Sequence, residues 1–435
     1  MIRSLLAATA LLAAAPALAQ VPQAKPREAV AAIADEIRNR YFSAEKGDAI
    51  ADALEVESAA GKYDALTDPR DLASAIGNRL RPEDAHFNVS WSAEPAPPAP
   101  PAGRLPPPGP GSGGPPRPAG PDTARLNNYG FDRVEILPGN VGLISMRQFA
   151  HIDFANAEDP ARRAVDAALA MVANADAVIF DLRNNGGGSP AMVGYLVSAF
   201  TPPDANIYNV FHDRGGTRDE KPDQFHAKPR LDVPLYILTS ARTGSAGEAM
   251  PYTLQAAKRA TIVGEASGGA ANPGGFVPVE GGYRVFISMG SPINPVTGRN
   301  WEGDGVKPDI AAPSAEALTV AHIRALEAIA AADPKRTDAA WAIAALKSTQ
   351  TLNASQRALY AGVYGPLEVV ANGDRLEVRR GRRPALELVP LGGDVFFVRT
   401  DPLMRFAFDR DASGRMVAVE QRDPFGASQR QRRDP

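Results

Sequence analysis

The 435-residue sequence has no cysteine, five histidines and no apolar run long enough to span a bilayer. Without cysteine, disulfides and thiol chemistry are excluded. No group of side chains has the spacing of a metal site, and no phosphate-binding loop is present. We therefore expect neither a metal nor a cofactor. The net charge of −3 gives no argument for a nucleic-acid partner.

The start of the chain, MIRSLLAATALLAAAPALAQ, combines a basic residue, a short apolar run and small residues at Ala17 and Ala19. This pattern is typical of a secretory signal peptide cut after Ala19, and the run is too short to anchor the chain in a membrane. No cysteine follows it, so a lipid-modified cysteine is excluded. We expect an exported protein, periplasmic or secreted.

Composition and periodicity divide the rest of the chain into segments. Apolar residues at helical spacing fill the part before residue 92, and a stretch rich in proline and glycine follows, which favours an extended linker. The predicted order is a signal peptide (1–19), an N-terminal helical domain (20–92), a Pro-rich linker (93–124), a core (125–315), a helical connector (316–350), a small β-domain (355–424) and a flexible tail (425–435).

Two continuous apolar runs in the core, DAVIFDLR and VPLYILT, are of the kind buried in a parallel sheet. Helical patterns alternate with such runs, which predicts an α/β fold. The last segment has short alternating runs separated by Asn372-Gly373 and Ser413-Gly414, both hairpin signals, which predict antiparallel strands.

Ser245 lies in TGSAGEAM, where a predicted strand gives way to a predicted helix. Ser245 and Glu248 have the spacing of a capping box, a structural role worth about 1 kcal/mol, and these residues alone favour that role. A nucleophile would also need a base and oxyanion donors. The amide of Ala246, at the helix N-terminus, is one candidate donor.

A second donor and a base have to come from elsewhere in the chain. The turn Asn184–Gly188 has three successive glycines after a buried strand, so its amides could approach a ligand, although in isolation an ordinary turn is the better interpretation. Spacing does not choose among the histidines, which are His86, His151, His212, His226 and His322.

Five blocks carry a resemblance to a known family, in this order: NYGFDRVEILPGNVGLISMRQF, AVIFDLRNNGGG, LTSARTGSAGEAM, ATIVGEASGG and NWEGDGVKPDI. Between about Arg27 and Ile310 the chain resembles the tail-specific peptidase family, S41. This family includes C-terminal processing proteases, the tricorn core and the interphotoreceptor retinoid-binding repeats. The resemblance implies a ClpP/crotonase-like α/β core, here with an N-terminal helical bundle and a small C-terminal antiparallel β-domain.

The resemblance also implies a branch of the family. In the C-terminal processing branch the base is a lysine, whose position here is Ala270, and a PDZ domain precedes the core. This chain has only the Pro-rich stretch in that place. Both departures indicate the tricorn and retinoid-binding-like branch, in which a histidine is the base. The D-x-H turn of that branch matches Asp84–His86 and implies His86.

By the same resemblance Glu302 supports the histidine, and the amides of Ala246 and Gly187 form the oxyanion hole. Ala85 stands where tricorn has a serine beside its histidine. The function implied is an exported serine peptidase that hydrolyses peptide bonds of a peptide or protein substrate, with Ser245 as nucleophile.

Two alternatives remain at this point. The retinoid-binding repeats show that the scaffold can serve as a non-catalytic module for apolar ligands or peptides. An α/β-hydrolase would use Ser245, Asp309 and His322, but Thr243 stands where the G-x-S-x-G motif has its first glycine. The presence of all three residues of the peptidase set favours the enzyme. The oligomeric state is not predicted.

Overall fold

The computed structural model describes residues 23–93 and 123–435. The predicted signal peptide (1–19) and almost all of the predicted Pro-rich linker (93–124) lie outside the described residues. In the part that is described, no helix has the length and apolarity that a membrane crossing requires.

The helices of the described chain all lie before residue 361. They are α1 (Pro26–Arg40), α2 (Ala44–Ala59), α3 (Pro69–Leu80), α4 (Thr123–Leu126), α5 (Pro160–Met171), α6 (Pro190–Ser198), α7 (Ala246–Ala256), α8 (Ala317–Ala332), α9 (Thr337–Lys347) and α10 (Ala354–Tyr360). Single 3₁₀ turns lie at Asn128–Gly130 and Glu280–Gly282.

The strands, in chain order, are β1 (Asn88–Trp91), β2 (Phe131–Leu137), β3 (Val141–Met146), β4 (Ala177–Asp181), β5 (Val210–Asp213), β6 (Gly216–Asp219), β7 (Leu235–Thr239), β8 (Thr261–Gly264), β9 (Gly274–Val279), β10 (Tyr283–Ser288), β11 (Gly290–Ile293), β12 (Ile310–Ala311), β13 (Gly362–Tyr364), β14 (Leu367–Asn372), β15 (Arg375–Arg379), β16 (Leu386–Gly392), β17 (Val395–Val398), β18 (Asp401–Arg410), β19 (Met416–Arg422) and β20 (Ser428–Arg432).

The chain divides into two compact units, and the N-terminal unit combines residues 23–93 with Gly274–Ser288. Its helices begin where the sequence provides starts: α1 and α3 have proline in their first turn, and Asp68 caps α3. Strand β10 pairs with both β1 and β9 in an antiparallel sheet. The segment 274–288, predicted as part of the core, thus completes the N-terminal unit, because β1 has its partner there.

The main unit, 123–273 with 289–435 in the described chain, contains the predicted α/β core. Its central sheet has the order β12-β8-β7-β4-β3-β2, parallel except for the β2–β3 pair. Strand β4 is buried on both faces: Val178 and Phe180 pack with α6 and α7 residues, whereas Ile179 packs with α8 residues. Both faces are covered by helices, as the continuous apolar runs predict. Strands β11, β5 and β6 form a separate antiparallel sheet.

The C-terminal part of the main unit is an antiparallel sheet of eight strands in chain order, β13 to β20. Its apolar core includes Tyr364, Phe396 and Phe408. The predicted flexible tail (425–435) instead contains β20, which pairs with β19, and the amide of Asp434 donates to the carbonyl of Val363 at 2.9 Å. Periodicity could not indicate this strand because its side chains are polar, while strand pairing uses the backbone.

Candidate functional site

Ser245 is the residue immediately before α7, after the loop that leaves β7. Its backbone has φ 54° and ψ −125°, a conformation that L residues rarely adopt and that costs on the order of 1–3 kcal/mol. Surrounding hydrogen bonds hold the turn: the amide of Gly244 donates to the carbonyl of Asn185 at 3.0 Å, and the amide of Thr243 to the carbonyl of Ser240 at 2.9 Å. Strain maintained in this way is typical of functional turns.

Glu248, fully buried in the first turn of α7, braces this turn. Its Oε2 accepts the amides of Ser245 at 2.8 Å and Ala270 at 2.9 Å, and its Oε1 accepts the hydroxyl of Ser267 at 2.6 Å and the amide of Gly269 at 2.7 Å. Burial raises the pKa of Glu248, while these four hydrogen bonds act in the opposite direction. The carboxylate joins the serine turn to the loop after β8.

The predicted capping box is present in its Glu248 half. The side chain of Ser245 is oriented towards the amide of Glu248, as in a capping box. However, that amide donates to the backbone carbonyl of Ser245 at 2.8 Å, and the hydroxyl of Ser245 makes no cap hydrogen bond. Capping is therefore performed by the backbone and by Glu248. The hydroxyl of Ser245 is left for another role.

The glycine turn lies directly against Ser245. A Cβ added to Gly187, which has φ 113°, would lie 2.9 Å from the Cβ of Ser245 and 3.2 Å from the amide nitrogen of Ala246. The structure thus brings together the serine and the two predicted oxyanion donors. The amide of Ala246, first in its helix, has no acceptor in the preceding turn of that helix. The amide of Gly187 already donates to Oδ1 of Asn185 at 2.9 Å.

Glu302 lies in the main unit, in the turn before β12. Its Oε2 accepts the amides of Ala271 at 2.6 Å and Asn272 at 3.0 Å. The four successive amides from Gly269 to Asn272 are therefore bound by two carboxylates, the first two by Glu248 and the last two by Glu302. Ala270, the position of the lysine in the C-terminal processing branch, lies inside this braced segment.

His86 lies in the N-terminal unit, between α3 and β1. The carboxylate of Asp84 accepts the backbone amide of His86 at 2.9 Å and lies 3.5 Å from its Nδ1. Tyr41 of α1 donates its hydroxyl to Asp84 at 3.0 Å, and the ring of Phe286 stacks on the imidazole with centroids 5.7 Å apart. Burial alone would raise the pKa of Asp84, but the nearby imidazole of His86, the amide of His86 and the hydroxyl of Ser288 hold it well below its usual range.

Residues 140–312 match the sequence model of peptidase family S41. This segment, less than half of the chain, is similar to peptidase family S41. The matched residues include Ser245, Gly187 and Glu302.

Solved structures similar to the chain include proteases. The photosystem II D1 C-terminal processing protease is 22% identical, with a TM-score of 0.33, over 40% of this chain and 42% of its own length. A lipoprotein from Streptococcus agalactiae is 16% identical, with a TM-score of 0.43, over 70% of this chain and 96% of its own. The tricorn protease is 16% identical, with a TM-score of 0.28, over 42% of this chain and 16% of its own. The match thus spans less than half the length of the D1 processing protease.

In the main unit, the residues of the α/β-hydrolase alternative have other partners. Asp309 accepts the amide of Ile262 at 2.7 Å and the side-chain amide of Gln255 at 2.9 Å. His322 is buried in α8 with its Nε2 2.8 Å from the carbonyl of Pro138, and burial lowers its pKa. Both residues have structural contacts, so the structure gives the α/β-hydrolase triad no support.

Two residues of the site region were not predicted from the sequence. The D-x-H turn indicates His86 and gives Asp84 no role, although an aspartate two residues before a histidine is a signal for a side chain that binds the following backbone. The glycine turn gives no sign of a role for Asn185, yet its side chain is fully buried and accepts the amide of Gly187. No periodicity in the S41 domain distinguishes such a residue from an ordinary turn residue.

Proposed function

We propose that the chain is an exported serine peptidase in which Ser245 is the nucleophile, His86 the base and Glu302 a support for His86. The observation that carries the proposal is the state of Ser245. Its backbone is held in a strained conformation at the tip of α7, its hydroxyl makes no cap hydrogen bond, and Gly187 lies against it. The similarity of residues 140–312 to peptidase family S41 supports the same assignment.

The reaction proceeds by acyl transfer. Oγ of Ser245 attacks the carbonyl carbon of the peptide bond while its proton passes to Nε2 of His86. The tetrahedral intermediate collapses, the C–N bond breaks, and the departing amine takes the proton from His86. Water then attacks the acyl-serine ester with His86 again as base, which releases the carboxylic acid product and restores the serine.

The oxyanion of the tetrahedral intermediate receives the amide of Ala246 and the amide of Gly187 in this proposal. The Ala246 donor lies at the positive end of the α7 dipole, which favours the developing negative charge. The Gly187 amide has to share or exchange its hydrogen bond to Asn185 for one to the oxyanion. One oxyanion donor is worth about 10²- to 10³-fold in turnover.

Labelling with a fluorophosphonate probe, which modifies activated serines, tests the proposal. We expect the wild-type chain to be labelled and Ser245→Ala not to be. Ser189→Ala is the matched control, because Ser189 also caps a helix N-terminus but accepts the amide of Ala191 with its side chain. That variant should lose stability of about 1 kcal/mol and keep its labelling.

Replacement of the base gives a second arm. His86→Ala should abolish labelling, whereas His322→Ala should retain it in the folded protein. A folded wild-type chain that the probe does not label, and that cleaves no peptide from a mixed library, would overturn the peptidase assignment and favour the non-catalytic module for apolar ligands or peptides.

Export to the periplasm or the medium is part of the proposal and rests on the first residues of the sequence. Mass spectrometry of the N-terminus of the protein recovered from a fractionated expression host tests it. We expect a chain that begins at Gln20 in the exported fraction. A chain that stays in the cytoplasm with its first residues intact would contradict this.

A further inference from the structure

Asp84 has more contacts with His86 than a turn aspartate needs. One of its oxygens accepts the backbone amide of His86 at 2.9 Å, and the same oxygen lies 3.5 Å from Nδ1 of the imidazole. The side chain of Asp84 is 1% exposed and that of His86 is 6% exposed. A charged carboxylate in such surroundings has a large desolvation cost and is retained where its partners need the charge.

The imidazole is held from a second direction. Phe286 stacks on it with an interplanar angle of 18°, and Phe276 in turn meets Phe286 edge-on at 5.4 Å between centroids. An aromatic wall of this kind limits ring rotation, and the carboxylate at Nδ1 selects which edge of the ring faces away from Asp84. The N-terminal unit therefore orients a histidine through its own residues.

From this geometry we infer that Asp84 is a positioning residue for His86: its carboxylate holds the Nδ1–H of the imidazole and leaves Nε2 to act on Ser245. The inference rests on the proposed function and adds a residue that the family resemblance did not imply. In the neutral imidazole this contact selects the tautomer with its lone pair on Nε2, which a general base requires. After proton transfer the negative carboxylate stabilises the imidazolium.

The charged and titratable groups near this cluster have separate contacts in the N-terminal unit. Lys46 lies 5.8 Å above the ring of Tyr41 and donates to the carbonyl of Glu83, and Arg284 lies 5.0 Å from the ring of Phe276. Under the proposed function Glu302 acts on the same imidazole. A test therefore has to separate the charge of Asp84 from that of Glu302 and from the hydrogen bond of Tyr41.

Three substitutions in the full chain make this separation. Asp84→Asn removes the charge and keeps an oxygen for the amide of His86. Tyr41→Phe removes a structural hydrogen bond to Asp84 and keeps its charge, so it is the matched control. Glu302→Gln removes the competing carboxylate.

The first readout is the titration of His86, followed by NMR of ¹⁵N-histidine-labelled protein in the Ser245→Ala background. Loss of an adjacent carboxylate destabilises the imidazolium, so we expect Asp84→Asn to lower the pKa of His86 by about one unit or more. Tyr41→Phe should shift it by less than about 0.3 units while lowering the unfolding temperature. An unchanged His86 pKa in Asp84→Asn, together with a lowered one in Glu302→Gln, would overturn the inference.

A second readout does not depend on whether Asp84→Asn folds. It is the tautomer of the His86 imidazole in the Ser245→Ala chain, in which Asp84 is unchanged. At a pH above its pKa we expect the proton on Nδ1; a proton on Nε2 would also overturn the inference. In active enzyme, Asp84→Asn should lower kcat by roughly 10²-fold with KM little changed, and should move the acid limb of kcat/KM to lower pH.

Failure of the inference about Asp84 can be distinguished from failure of the peptidase assignment. The NMR measurements report on Asp84 and His86 whether or not the chain hydrolyses peptides. A folded chain whose His86 responds to Asp84→Asn but whose Ser245 is never labelled would overturn the peptidase assignment and leave the Asp84–His86 contact established.

Discussion

Glu248→Gln is a near-isosteric change at the centre of the serine turn. Each carboxylate oxygen accepts two donors, so a glutamine can keep two hydrogen bonds through its oxygen while its NH₂ group faces two further donors. Two charge-assisted hydrogen bonds are lost, each worth about 1.5–3 kcal/mol. Burial raises the pKa of Glu248, which means that the buried charge has a desolvation cost. Glutamine does not have this cost, so we take the lower end of the range for each lost hydrogen bond.

The expected loss of stability is then about 3 kcal/mol, which for a domain of this size lowers the unfolding temperature by roughly 6–12 °C. The turn also loses the acceptor of the Ser245 amide, so labelling by the fluorophosphonate probe at a temperature where the protein is folded should slow by about 10-fold or more. Thermal unfolding followed by circular dichroism, together with the labelling rate, measures both effects.

Glu265→Gln is the control for this experiment. Glu265 lies on the same loop, is exposed and accepts the amide of Ser314, so its replacement should change stability by less than about 0.5 kcal/mol. If Glu248→Gln unfolded within a degree of the wild type and were labelled at the same rate, the role assigned to Glu248 would be refuted.

Three further predictions concern separate elements. Gly187→Ala should abolish labelling, because its Cβ would contact Ser245 at a φ of 113°, whereas Gly186→Ala, with open space around its Cβ, should retain labelling. Burial lowers the pKa of His322, so the folded state favours the neutral imidazole. Its contribution to stability is therefore complete above about pH 6.5 and is lost as the pH falls below that value. In His322→Gln this part of the pH dependence of unfolding should disappear, while labelling by the probe should persist. Hydrogen exchange should show protected amides within β20, and exchange at the rate of an unstructured peptide would refute the strand.

The sequence predicts the S41 domain well where burial leaves a pattern. Strands β4 and β7 follow from continuous apolar runs, and Ser245 falls at the boundary between strand and helix as expected. The amide of Ala246 is a candidate donor because of its place at a helix N-terminus, whereas Gly187 is indicated only by the family resemblance, since a glycine turn by itself is not distinctive. Contact between that turn and the serine requires the parallel β4–β7 pairing, which local sequence does not specify.

Other features could not be predicted because they depend on contacts distant in sequence. The pairing of β1 with β10 joins residues about 190 positions apart, and no local signal indicates it. Four donors converge on Glu248, three of them from Ser245 and from the loop at Gly269 and Ala270, whereas the sequence indicates only the first of these. The D-x-H motif indicates His86, but it gives no sign of the contacts that Asp84 makes with that residue.

The N-terminal unit is not continuous in the chain, and this affects the order in which the protein is completed during synthesis. Helices α1–α3 can form as soon as they emerge, but β1 remains without a partner strand until β10 has been translated. By then Ser245 has already been synthesised. The unit that carries His86 is therefore completed after Ser245 has been made, and a nascent chain interrupted before residue 283 contains Ser245 but lacks a finished N-terminal unit.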